Sequence, residues 1–379
     1  MKKINILHPG SKLKWSYYFG YWSVLNYFKN EIEESGYQIS FFNKITKEFF
    51  DADFIFLVSR YFTDSIQIKL RKKLKMNYEF NLKEKIETMS VKNPNIIWFD
   101  LGDSAGTTSF EIMPYIKKYA KNQVYVDKFN YKKLFFRNRY YADYYQKKYD
   151  LEKQVPFHYA KLHEKYESKL VQSWNIGVGN YYDIINNNKI KKNLLSLKGF
   201  FFNYDKKDFK YRLKFREAGE RYEDFFLKQN LRSESKKKSI FFQRYFVTDF
   251  LRKKYSLDNV EKRINHKNYL EKLNKAKISV GSFGWGEICY REFEATFMGA
   301  CIIYPNISYI KTWPNIYINN QTCLTYDLNF ENLEEKINKV LINDKLRKEL
   351  VYNAQKVLDN VLKEDGLTYM LNFLSNVTK

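Results

Sequence analysis

The chain has little with which to cross-link itself or hold a metal. It carries three cysteines, Cys289, Cys301 and Cys323, in apolar surroundings and without metal-ligand spacing. That argues for reduced, buried thiols over a disulfide framework or a zinc site. No apolar run approaches the ~20 residues of a membrane span, and Met1-Lys2-Lys3 leads at once into a strand-like segment instead of a signal-peptide core. The expected location is therefore the cytoplasm. There is no internal repeat of fixed period and no long low-complexity tract. Acidic residues are scarce, 43 against 66 lysines and arginines, for a net charge of +23. Nucleic acid, anionic lipid or a phosphorylated substrate would each answer such a charge. Abundant lysine and asparagine with few alanines also points to a genome-wide bias behind part of it. The basic clusters Arg71-Lys72-Lys73, Lys191-Lys192 and Lys236-Lys237-Lys238 are too short for a nucleic-acid arm. No RNP, zinc-finger or helix-turn-helix signature accompanies them, so the sequence predicts no nucleic-acid partner.

What is present is apolar and aromatic in abundance, 44% and 19% of 379 residues, enough to fill two cores of ordinary size. Strand-like runs at Ile4–Leu7, Gln38–Phe42, Phe54–Val58 and Asn95–Asp100 alternate with helical patterns, among them a long aromatic one from Trp15 to Glu34. This reads as a parallel, doubly wound sheet with ligands gathering at the carboxyl ends of its strands. His8, Ser59 and Asp100 stand at such ends. Trp174-Asn175-Ile176-Gly177-Val178-Gly179-Asn180 interrupts the pattern without starting a new element and is the expected hinge. The predicted domains are residues 1–172 and 173–379. In the second, strands are expected at Gly199–Tyr204, Ser239–Phe242, Ile316–Ile318 and Leu324–Tyr326. A helix is expected at Tyr269–Lys275, with amphipathic helices at Glu334–Leu341, Lys345–Leu362 and Leu367–Leu374 closing that domain.

The most informative stretch is KISVGSFGWGEICYREFEATFMGACIIYP, from Lys277 to Pro305. Ile278–Val280 has the composition of a buried strand, Gly281, Gly284 and Gly286 break it into a tight turn, and Tyr290, Phe293 and Phe297 recur at helical spacing. A helix from Glu287 to Gly299 would set Glu287, Arg291 and Glu294 side by side on its other face. Cys301–Tyr304 reads as the following buried strand. A strand, a glycine turn and a helix N-terminus make an anion site, because the first helical amides lack internal partners. The spacing is neither that of a dinucleotide fold nor that of a Walker loop.

This stretch resembles the donor-site signature in the C-terminal domain of GT-B glycosyltransferases, those called glycosyltransferases group 1. Arg291-Glu292-Phe293-Glu294-Ala295 and Gly299-Ala300-Cys301-Ile302-Ile303 stand in the signature's places, over about thirty residues. The resemblance implies two Rossmann-like domains facing each other across a cleft. It implies that Glu294 holds ribose hydroxyls, that Arg291 and the amides of Phe283, Gly284, Trp285 and Gly286 beside Ser282 hold a diphosphate, and that no metal or cofactor is needed. Glu287 departs from the pattern, with six residues between it and Glu294 where many relatives have seven. The implied activity is transfer of a sugar from a nucleotide-sugar to a glycan or glycolipid acceptor, in surface polysaccharide synthesis at the inner membrane face. A basic binding or scaffold protein, and another sugar-nucleotide enzyme such as an epimerase, are the competing readings.

Two further sets of residues are candidates. Arg212 and Arg216, one helical turn apart, are in position to reach a diphosphate across the cleft, or to line a solvated helix face. Trp98-Phe99-Asp100-Leu101-Gly102-Asp103-Ser104-Ala105-Gly106-Thr107-Thr108 leaves a buried strand and enters a loop. Asp103 is the candidate general base for an acceptor hydroxyl, with His8 as the alternative, and Asp100 as its support. Turn capping by the same carboxylates is the other reading. The Tyr- and Lys-rich segment from Phe129 to Tyr149 reads as amphipathic packing or as a rim that touches lipid headgroups.

Overall fold

The computed structural model describes residues 1–7, 17–63, 81–152, 160–179, 215–218, 221, 223–227, 235–257 and 264–379. Its first half is a six-stranded, wholly parallel sheet built from β1 (Lys2–Leu7), β2 (Tyr37–Phe42), β3 (Phe54–Val58), β4 (Ile96–Asp100), β5 (Lys118–Lys121) and β7 (Leu170–Gln172), in the order β2-β1-β3-β4-β5-β7. β3 and β4 are buried along their whole length, as near-continuous apolar runs in a sheet covered on both faces require. The aromatic helix expected from Trp15 is two helices, α1 (Tyr17–Tyr27) and α2 (Lys29–Glu34). α3 (Ser59–Thr63), α4 (Leu82–Lys92) and α5 (Tyr140–Tyr149) follow.

The second half holds a four-stranded parallel sheet, β12-β10-β9-β8, from β8 (Glu223–Phe226), β9 (Ala276–Val280), β10 (Cys301–Pro305) and β12 (Leu324–Tyr326). Around it lie α6 (Phe242–Tyr255), α7 (His266–Lys275), α8 (Tyr290–Phe297), α9 (Leu333–Ile342) and α10 (Asp344–Asn360). Ser239–Phe242, expected as a strand, is instead the approach to α6, and Ile316–Ile318 is not a strand. Gly199–Tyr204 lies outside the described residues. The two sheets are two α/β units of Rossmann-like character, as the sequence predicts.

The halves are tightly joined. β6 (Gln123–Tyr125) pairs antiparallel with β11 (Ile310–Thr312), with Tyr125 opposite Ile310. The expected hinge is a buried crossing: Trp174 stacks on Tyr21 at 5.0 Å and donates from Nε1 to the Tyr21 carbonyl, while Asn175 Nδ2 donates to Thr312 Oγ1 and the Pro314 carbonyl. The last helix, α11 (Glu364–Val377), returns to the first sheet, where Met370, Phe373, Leu374 and Val377 share a core with Ile4, Ile6, Trp22 and Phe99. The expectation that the terminal helices all close the second domain is corrected here. Packing that apolar stripe against the first sheet takes it out of water.

Candidate active site at the junction of the two sheets

β9 ends at Val280, the chain turns through Gly281 to Cys289, and α8 begins only at Tyr290. The expected helix start at Glu287 is therefore displaced by three residues. The cause is a carboxylate drawn away from the helix. Glu287 is fully buried and accepts hydrogen bonds from Ser104 Oγ (3.0 Å) and the Ala105 amide (3.2 Å), both in the loop after β4. Burial pushes its carboxyl above the ordinary range and the Ser104 bond opposes that shift. Glu287 does not share a helix face with Arg291 and Glu294. It joins the two halves.

The same junction explains Gly286. A Cβ there would collide with the carbonyl group of Asp103 and come within 2.9 Å of the Ser104 amide nitrogen. Only glycine allows the two backbones this close. The glycine turn and the Asp103 loop are thus brought together. The side chain of Asp103 is 46% exposed and pairs with Arg60 Nη2 at 2.9 Å, while Gln123 Nε2 donates to its carbonyl at 2.6 Å. Asp100, expected as its support, is held within its own sheet and loop. It is buried, paired with Lys121 at 2.9 Å, and accepts from the Tyr119 hydroxyl and the Gly102 amide. His8 and Arg212 lie outside the described residues.

Four consecutive carbonyls of the turn are each held by a side chain. Arg291 Nη2 donates to Ser282 O at 2.7 Å, Arg244 Nε to Phe283 O at 2.8 Å, the Tyr141 hydroxyl to Gly284 O at 3.3 Å and Arg139 Nε to Trp285 O at 2.5 Å. Three guanidinium groups from three elements therefore converge on one turn. Among the described residues the ion pair recorded for the three is Arg291 with Glu292, at 3.9 Å. Burial, and then the charge of Arg291, lower the pKa of Arg244. Three like charges held together with one carboxylate, Glu292, as the close counter-ion leave a net positive charge that attracts an anion. Ser282 Oγ, buried and without a hydrogen-bond partner, lies at the same turn.

The amides expected to hold the anion are partly committed elsewhere. Phe283 donates its N–H to Gln243 Oε1 at 2.8 Å and Gly284 donates to Gly286 O at 3.0 Å. The positive charge at the turn comes from side chains more than from a helix end. Arg216 is not brought there. Its amide donates to Phe297 O, at the opposite end of α8, and its side chain is exposed. Trp285 is 48% exposed at the tip of the turn, edge-on to Phe241 at 5.0 Å. Glu294 is buried, and His266 Nε2 lies 2.9 Å from its Oε1, with Tyr269 stacked on the imidazole.

The residues missed by sequence reasoning are Arg139, Tyr141, Gln243, Arg244, His266 and Arg60. Arg244 stands two residues beyond a segment that reads as a strand, and Arg139 lies in one that reads as a headgroup rim. No spacing rule links either to residues 282–286, because sheet packing sets their proximity.

No protein-family model matches the chain, and no curated protein matches it. Solved structures with a similar chain path do exist. T4 phage BGT in complex with its UDP-glucose substrate is 12% identical with a TM-score of 0.44, covering 100% of this chain and 99% of that one. HepE of Anabaena in complex with UDP-glucose is 8% identical at 0.42, covering 99% and 100%. A glycosyltransferase from Rickettsia africae is 13% identical at 0.40, covering 100% and 98%. Two parallel α/β sheets are brought together at the glycine turn, as the two Rossmann-like domains implied by the sequence motif would be. No helix among the described residues is long and apolar enough to cross a membrane.

Proposed function

We propose that the chain is a glycosyltransferase that moves a sugar from a nucleotide-sugar donor to a glycan or lipid-linked acceptor. The observation that carries the reading is the convergence of Arg139, Arg244 and Arg291 on the carbonyls of residues 285, 283 and 282, with Ser282 Oγ left over. A diphosphate is the guest that such a cluster suits, since guanidinium groups bind phosphate oxygens in pairs and neutralise a leaving group without a metal. On this reading Arg291 and Arg244 hold the diphosphate and Glu294, steadied by His266, takes the ribose hydroxyls. Asp103 meets the acceptor hydroxyl, as general base if the anomeric centre inverts and as a positioning group if it is retained. Surface polysaccharide synthesis at the inner membrane face is the setting we infer, with the chain held at the anionic lipid surface by its basic charge.

The test is a thermal-shift panel of nucleoside diphosphates and nucleotide-sugars on the full chain. A true donor at a hundred times its dissociation constant should stabilise by ~2.7 kcal/mol. A panel in which no nucleotide shifts the transition, while DNA or RNA does, would replace this reading with that of a basic binding protein.

A further inference from the structure

Beneath the guanidinium cluster one carboxylate is left without a use. Glu292 follows Arg291 on α8 and is 3% exposed. Its Oε1 lies 3.9 Å from Arg291 Nε and 3.0 Å from where a Cβ on Gly281 would stand, so it sits directly under the start of the turn. Its Oε2 has no hydrogen-bond partner, and neither has Arg291 Nε. A buried polar atom without a partner is costly, and here two of opposite kind lie close together without being joined. Four phenols lie within electrostatic reach of Glu292: Tyr304 from β10, Tyr326 from β12, Tyr317 from the segment before β12, and Tyr269 from α7. Burial raises the pKa of each of these phenols, so they stay neutral. The charges that reach Glu292 are Arg291 and Glu294 on its own helix and Arg244 on α6, and the Cys289 thiol lies beside Arg291. Burial drives the Glu292 carboxyl up to about 7, with Arg291 opposing the shift.

We propose that Glu292 couples anion binding at the glycine turn to the uptake of one proton. A phosphate group held by Arg291 and Arg244 takes up the positive charge that keeps Glu292 ionised and adds negative charge close to it. The carboxylate then gains a proton from solvent, becoming a neutral acid, and the anion stays bound. No bond of the ligand changes. The inference rests on reading the turn as a diphosphate site. Its consequence is a donor affinity that weakens as pH rises through about 7, by up to roughly tenfold per unit above it. A neutral side chain of the same shape should bind more tightly than glutamate at high pH, although it removes no repulsive contact visible in the free chain.

Titration calorimetry on the full chain tests this at about pH 6, 7 and 8.5. The probes are UDP-sugars, whose diphosphate esters have no ionisation in that range, and sulfate as a simple anion. Each is run in two buffers of different ionisation enthalpy, so that proton uptake by the wild type is read without any variant. The expected result is net proton uptake near pH 7.5 and an affinity roughly tenfold weaker at pH 8.5 than at pH 7. Glu292→Gln should flatten the profile and bind more tightly than wild type at pH 8.5. Glu287 remains in that variant, so the difference between the two profiles belongs to Glu292. UDP-sugar binding without proton uptake, or parallel profiles in wild type and Glu292→Gln, overturns the coupling. Sulfate binding with proton uptake while no UDP-sugar binds supports the coupling and overturns the donor reading instead.

Discussion

Replacing Gly286 by alanine should force apart the two halves of the molecule at the point where they touch. The added methyl group falls on the Asp103 carbonyl, which is backbone and has no rotamer with which to escape. Restoring van der Waals contact requires the loops to separate by on the order of 2 Å. The bonds that hold Glu287, from Ser104 Oγ at 3.0 Å and from the Ala105 amide at 3.2 Å, cannot survive a displacement of that size. A carboxylate buried at the junction would lose both donors, at ~1–3 kcal/mol for each group left unsatisfied. The expected loss is ~3 kcal/mol, a large share of the ~5–15 kcal/mol that typically stabilises a folded domain. Urea unfolding followed by tryptophan fluorescence measures it, since Trp98 and Trp174 are fully buried on the first-sheet side of the contact. A double-mutant cycle with Glu287→Gln adds a second check, because both changes break the same contact and their costs should fall well short of additive. A Gly286→Ala protein within about 0.5 kcal/mol of wild type would show that the two loops do not meet as described, and the placement of Asp103 beside the glycine turn would go with it.

Four further variants have expected outcomes. Arg244→Gln should weaken nucleoside diphosphate binding by roughly tenfold to a hundredfold in calorimetry, whereas Asp103→Asn should leave that affinity intact and lower turnover by ~10²–10⁴. Lys121→Met strands the Asp100 carboxylate, whose pair is almost wholly buried, and should cost ~3 kcal/mol, the low end for such a loss because Tyr119 and Gly102 still donate to it. Glu292 takes up its proton more readily in the folded chain, with its carboxyl raised from 4.5 to about 7, so its contribution to stability is fully present below pH 4.5 and is lost as pH rises through 7. Glu292→Gln should therefore be more stable than wild type by ~3 kcal/mol at pH 8 and no more stable at pH 4, as read by denaturant midpoints.

The parts of the site that are local in sequence were legible, and those made by packing were not. β9, the turn and β10 stand within two residues of their expected ends, because a short apolar run broken by glycines leaves little choice of backbone. Gly299 takes a left-handed conformation after the last turn of α8, as a helix-ending glycine should. The start of α8 was misplaced because periodicity cannot show that Glu287 finds its donors at Ser104 and Ala105, more than 180 residues away. The same limit hid Arg139 and Arg244. Their neighbours on the chain are aromatic residues that pack, and only the fold turns their guanidinium groups toward the turn. Ser239–Phe242 looked like a strand because four residues of mixed apolar character fit a buried strand and a helix entry equally well.

The return of α11 to the first sheet means that the chain passes between the halves twice at this place, once near Ser173 and once before Glu364. The two passages are neighbours. Tyr369 donates its hydroxyl to the Ser173 carbonyl at 3.2 Å and stacks face to face on Trp313 at 3.8 Å. Two adjacent passages and the β6–β11 ladder tie the halves at places other than Gly286 and Glu287, so losing that one junction loosens the turn against the Asp103 loop while the halves stay joined.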